Sequence, residues 1–98
     1  MRFHVPPSVR REATAAARWY DEHQSGVGDE LLSIYVSIQR DPQGFPRHEQ
    51  YAGRRDVRRC PLKRFPYNVV FQNLPGEIWV IAVGHDQRRP LYWRNRLP

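Results

Sequence analysis

The chain has 98 residues, 40% hydrophobic and 12% aromatic, enough material for one core and too apolar for a disordered protein. No apolar run approaches the ~18 residues of a membrane span, the opening MRFHVPPSVRRE lacks the apolar stretch of a secretory signal, and the one cysteine, Cys60, excludes an internal disulfide and a Cys-rich metal site. Sixteen basic groups against ten acidic ones leave a charge of +6 and a pI near 10.2, so the expectation is one cytoplasmic domain over 1–98 with an anionic partner and no membrane association.

A short strand is expected at Arg2–Val5, ended by Pro6 and Pro7, the second of which suits the first turn of a helix. From Ser8 to His23 the residues Val9, Ala13, Ala16, Ala17 and Tyr20 fall on one helical face, and its alanines allow close approach to a neighbour. Gly26 and Gly28 predict a tight connection. A second helix follows from about Asp29 to Arg40, with Leu31, Leu32, Tyr35 and Ile38 on its inner side and Asp29 and Glu30 in a first turn where the helix dipole favours negative charge. Asp41-Pro42 stops it. Residues 42–56 hold two prolines, two glycines and no period, and read as a loop.

Strands are expected at Val57–Leu62, Tyr67–Gln72 and Ile78–Val83, with Asn73-Leu74-Pro75-Gly76 as a turn. The last strand is apolar on both faces and belongs at the centre of the sheet. Pro61 confines the first of the three to an edge or a ladder end. The order β-α-α-β-β-β gives an α+β domain in two layers, a helical hairpin on a mostly antiparallel four-stranded sheet. Charge divides along the chain: residues 1–44 carry five basic and six acidic groups, residues 45–98 eleven and four. The positive field belongs to the second half. Fifteen of the sixteen basic residues are arginine, whose planar fork matches phosphate and carboxylate oxygens.

Four stretches, AAARWYDE, GVGDELL, VRRCPLKRFPYNVVF and IWVIAVGHDQRRPLYWRNR, resemble the RelE/ParE superfamily of toxins from bacterial type II toxin–antitoxin modules, over almost the whole length. The last two carry most of the likeness. The resemblance implies a growth inhibitor that a cognate antitoxin wraps and silences, in a hetero-oligomer, with no cofactor. RelE-like members cleave messenger RNA on the ribosome without metal, whereas ParE-like members poison DNA gyrase. The AV-x-H-x-x-R-x-P ending is closer to the ParE-like branch, so target inhibition is preferred to RNA cleavage. A relative that binds antitoxin and has lost toxicity is the third reading.

Cleavage by a ribose 2′-hydroxyl needs a base, an acid and cations on the phosphorane charge. The candidates are His85 as a proton carrier, Arg88 as an oxyanion clamp and Tyr92 as a second proton carrier or stacking surface. Arg58, Arg59, Lys63, Arg64, Arg89 and Arg94 are the candidate RNA- or target-binding cations, and the resemblance implies a site where the first-strand arginines and the residues after the last strand converge on a concave sheet face. Alternation in a strand makes Arg58 and Arg59 point to opposite sides. Each candidate has a structural counterpart: His85 bonding the tail, Arg88 in a salt bridge, Tyr92 and Trp93 pinning the tail to the core. RelE-like catalysis draws on several lysines, and Lys63 stands alone here, which weighs against a nuclease. The histidines at 4, 23, 48 and 85 show no ligand spacing, so no metal is expected. Cys60, before a proline in a strand, reads as an inert thiol.

Overall fold

A computed structural model describes residues 2–21, 26–46 and 56–97. Strand β1 (Arg2–His4) leads into helix α1 (Pro7–Asp21) and helix α2 (Val27–Arg40). A 3-10 turn at Pro42–Gly44 follows, then β2 (Val57–Pro61), β3 (Tyr67–Leu74) and β4 (Glu77–His85), and a last 3-10 turn at Arg94–Arg96. The sheet runs β1-β4-β3-β2, with β1 parallel to β4 and the other pairs antiparallel. The expected α+β order and the largely antiparallel sheet are both found, and β4 lies inside the sheet as its composition required.

Local chemistry sets the helix ends. Pro7 opens α1, and the Pro6 carbonyl accepts from Val9 and Arg10 at 3.0 Å. Gly26, at φ 116°, turns the chain into α2. Gly28, expected in the connection ahead of a helix starting near Asp29, is helical instead: α2 begins at Val27 and runs through it. The proposed end of the first helix at His23 lies outside the described residues. Buried Val27, Leu31, Ile34 and Ile38 form the inner face of α2, whereas Leu32, expected there, is 64% exposed. A spacing of three or four residues from Val27 through Leu31 and Ile34 puts Leu32 a quarter-turn off that face.

The two sheet faces are covered differently. Val69, Phe71, Ile78, Val80 and Val83 meet the helices, joined by Val9, Ala16 and the inner face of α2. Val57, Val70, Ile81 and Ala82 face the other way and are covered by Trp93, 4% exposed, with Leu91, Tyr92 and Leu97 around it. The C-terminal segment is thus the second cover of the sheet. Strict alternation would put Val83 and His85 on the tail side with Trp79 and Ile81. A register shift prevents this: Val70 pairs with Ala82 but Phe71 with Val80, leaving Ile81 as an extra residue. Such a bulge re-aims everything beyond it. Ala82 and Gly84 take the tail side, and Val83 joins the helix-side core.

β1 pairs with β4 only from Glu77 to Trp79, so the rest of that edge needs other partners. Glu12, from α1, accepts the Val83 N–H at 3.1 Å, and Arg96 donates to the Ile81 carbonyl at 3.2 Å. Side chains from the two ends of the chain therefore complete the backbone bonding of β4.

Candidate functional site

Where the tail crosses the end of the sheet it leaves a cleft of about 250 Å³. Val70, Ala82, Leu91 and Trp93 give it an apolar lining, and Arg59, His85, Arg88, Arg89 and Tyr92 bring charge and polarity. Five of the nine residues singled out from the sequence converge there. Arg59 arrives from β2 because it pairs with Val70, which pairs with Ala82, and all three share the tail face. Asn68 and Asp86 complete the polar wall, joined by a hydrogen bond from the Asn68 amide to the Asp86 carboxylate.

Glu12 is the anchor behind the cleft. Its Oε2 accepts the Tyr92 hydroxyl at 2.7 Å, and its Oε1 accepts Arg96 Nη1 at 2.8 Å. Burial, reinforced by the hydrogen bond to Glu12 and by that carboxylate's charge, pushes the Tyr92 phenol far above its ordinary pKa. Arg96's own hydrogen bonds to Glu12 raise its pKa as well. The Arg88 guanidinium lies over the Tyr92 ring, 3.9 Å from its centroid, in cation–π contact. Gly84 runs directly beneath the phenol: a Cβ there would stand 2.4 Å from the Tyr92 hydroxyl oxygen.

His85 is held by its neighbours at the end of β4. Its Nδ1 accepts the Gln87 N–H at 3.0 Å, and its ring meets Tyr67 edge-on with centroids 5.1 Å apart. Tyr67 in turn packs against Tyr20 and has its phenol pKa raised by burial and by Tyr20. The Phe-Pro-Tyr bend is structural: Phe65 is buried, and the Tyr67 carbonyl accepts the Leu62 N–H at 2.8 Å.

The other four cations lie elsewhere, and the expectation of one shared sheet face is corrected accordingly. Arg58 points to the helix side, where Nη1 donates to the Phe45 carbonyl and, at 3.4 Å, to that of Gln43. It fastens the segment after α2 to the sheet. Lys63 and Arg64 lie where the chain leaves β2, and both line a separate groove of about 520 Å³ beside α2. Glu30 accepts both of their backbone N–H groups, and Arg64 also packs on Gly26 and over Phe65. Arg94 is exposed in the last 3-10 turn and does not line the cleft. Cys60 sits in the α2 groove; burial and the Glu30 charge raise its pKa against the opposing effect of Lys63, so its thiol is held protonated.

Glu12, Gly84 and the Asn68–Asp86 pair are the site residues that sequence reasoning missed. Glu12 occurs in an amphipathic helix as an ordinary polar position, and only the short β1 makes a carboxylate necessary there. Among the described residues no group of His, Cys, Asp and Glu is arranged to hold a metal, and no helix is long and apolar enough to cross a membrane.

No family model and no curated protein matches the sequence. Among solved structures, the chain is similar to one from a chromosomal ParDE TA system from P. aeruginosa, with a TM-score of 0.69 and 13% identity over 87% of this chain and 95% of that one. At this identity the likeness is one of fold. The two helices and four strands in this order are the RelE/ParE toxin fold that the four sequence stretches suggested.

Proposed function

We propose that this chain is the growth-inhibiting toxin of a type II toxin–antitoxin pair, neutralised by an antitoxin with an acidic segment, and that it acts by binding its target rather than by cutting RNA. DNA gyrase is the first target to test. The observation that carries the non-nucleolytic reading is the state of the three proton carriers. Tyr92 donates its only proton to Glu12, and its phenol is lifted away from neutral titration. Lys63 lines the α2 groove, not the cleft. That leaves His85, one ring nitrogen of which already accepts from Gln87. In-line cleavage calls for an acid and a base, and of these three groups the cleft keeps one for both roles. Its arginines suit recognition instead, since a guanidinium holds its charge at any physiological pH and moves no proton.

Expression in a bacterium, with and without the adjacent small gene, tests the toxin reading. Growth arrest relieved by that gene is expected, and normal growth at verified soluble expression would favour a non-toxic, antitoxin-binding relative. Primer extension on translated messages, beside a supercoiling assay with purified gyrase, tests the mode of action. Supercoiling inhibition with intact message is expected. Message cleavage that disappears in His85→Ala would establish the ribonuclease in its place.

A further inference from the structure

Glu12, Tyr92, Gly84 and Arg88 form one connected unit in the wall of the cleft. The carboxylate of Glu12 fixes the Tyr92 hydroxyl at 2.7 Å. Gly84 admits the ring, since a Cβ at that position would also stand 2.9 and 3.1 Å from ring carbons. The anchored ring then carries the Arg88 guanidinium at 3.9 Å. Arg88 is exposed, its backbone N–H closes a turn on the His85 carbonyl at 3.0 Å, and it has no ion pair with a described carboxylate. One face of the guanidinium is covered by the ring, while the N–H groups at its edge remain available. Asp86, the carboxylate in the same wall, is engaged by Asn68.

We infer that Tyr92 is a positioning residue that holds Arg88 as a ready fork for a carboxylate of the protein target. An acidic side chain would enter the cleft to meet Arg88, and its apolar neighbours would rest on Pro90 and Leu91 at the rim. An ordinary surface arginine loses rotamer freedom when it binds. One already stacked on a fixed ring loses less, and the saving appears as affinity. A guanidinium fork fits a carboxylate or a phosphate; the protein target of the binding-toxin reading makes the carboxylate its ligand, and a nucleic-acid strand is the alternative that the test below excludes. This inference deepens the binding-toxin reading and rests on it only for the target's being a protein.

The test uses the full chain labelled with 15N. The heteronuclear NOE at Arg88 Nε reports the order of the guanidinium, and titrations with a blocked leucine–glutamate–leucine tripeptide and with a uridine pentanucleotide report the ligand. Arg88 Nε is expected to be rigid in the wild type and in Tyr92→Phe, which keeps the ring, and mobile in Tyr92→Leu. Tripeptide affinity should fall about fivefold in Tyr92→Leu, the factor that corresponds to ordering one long side chain. Arg88→Lys keeps the charge without the stack or the fork, and should bind the tripeptide as poorly as Arg88→Ala. Arg88 is exposed, so these two variants carry the test even where Tyr92→Leu does not fold. A mobile Arg88 in the wild type, full affinity in Arg88→Lys, or tighter binding of the pentanucleotide would each overturn the inference. Growth inhibition is not a readout, so the outcome is independent of whether the chain proves toxic.

Discussion

Removing the Glu12 carboxylate should undo more than one contact, because four donors on three residues converge on it. Val83 N–H is on a strand residue only 2% exposed, and stripping its acceptor leaves a buried donor unpaired at about 1–3 kcal/mol. The Tyr92 hydroxyl loses a bond to a charged acceptor, worth about 1.5–3 kcal/mol where water is excluded and less at this half-buried position. Arg96, with 30% of its side chain exposed, turns to solvent, so its ion pair adds only about 0–1 kcal/mol. These parts overlap, and Glu12→Ala is expected to cost about 3–4 kcal/mol. That is a large share of the about 5–15 kcal/mol that stabilises a domain, and small domains lie toward the low end. Urea denaturation followed by far-UV circular dichroism, with tryptophan emission reporting the burial of Trp93, measures it. Glu12→Gln retains an acceptor for Val83 and should lose about half as much. A double-mutant cycle with Tyr92→Phe should return a coupling of about 1–2 kcal/mol. A loss below about 1 kcal/mol in Glu12→Ala, with no coupling to Tyr92, would refute the assignment of Glu12 as the anchor of the tail.

Two glycines should respond in opposite directions to alanine. Gly84→Ala forces the Tyr92 ring off its seat and should cost about 1–3 kcal/mol with altered tryptophan emission, while Gly28→Ala, in helix α2 with nothing within 4 Å of the new Cβ, should stabilise by about 0.5–1 kcal/mol in the same denaturation assay. Stability should fall as pH rises above about 10. Unfolded tyrosines ionise there while Tyr92, and to a lesser extent Tyr35 and Tyr67, keep their protons in the fold, so the unfolded chain binds fewer protons. The contribution is complete below the ordinary pKa of 10.0 and is lost on the alkaline side, and Tyr92→Phe should flatten the decline in a pH series of denaturation midpoints. Arg58 and Arg59 should separate fold from function: Arg58→Ala should cost about 1–3 kcal/mol, while Arg59→Ala should stay within about 0.5 kcal/mol of wild type in stability and weaken growth inhibition.

Element type was readable wherever one local period dominates. The face Val9, Ala13, Ala16, Ala17, Tyr20 is the face that packs, and the run from Ile78 to Val83 could only be an inner strand. What escaped depends on pairing between distant segments. Alternation separated Arg58 from Arg59, but which of them faces the tail follows from register with β3 and from where the helices dock. The bulge at Ile81 has no local signature in IWVIAV, yet it decides that Gly84 and not His85 lies beneath Tyr92. A histidine directly after a strand invites a catalytic reading. The bulge sets its ring edge-on against Tyr67, at the end of the cleft that it lines.

The same division explains how a charge count becomes a directed surface. Of the four acidic residues among 45–98, three lie in the described residues: Asp56 holds the Gln72 amide, Glu77 pairs with Arg2 and accepts the Trp79 indole N–H, and Asp86 is bound by Asn68. Each binds a group that completes the fold, and none forms an ion pair with Arg59, Arg88 or Arg89 among the described residues. Among the described residues, the ion pair of the tail uses Glu12, drawn from the acidic half of the chain, and it serves Arg96 rather than the cleft. The arginines of the cleft therefore keep their field. An acidic antitoxin segment and an acidic patch on a target would be drawn by the same field. Competition for that surface is then a physical route by which binding one partner excludes the other.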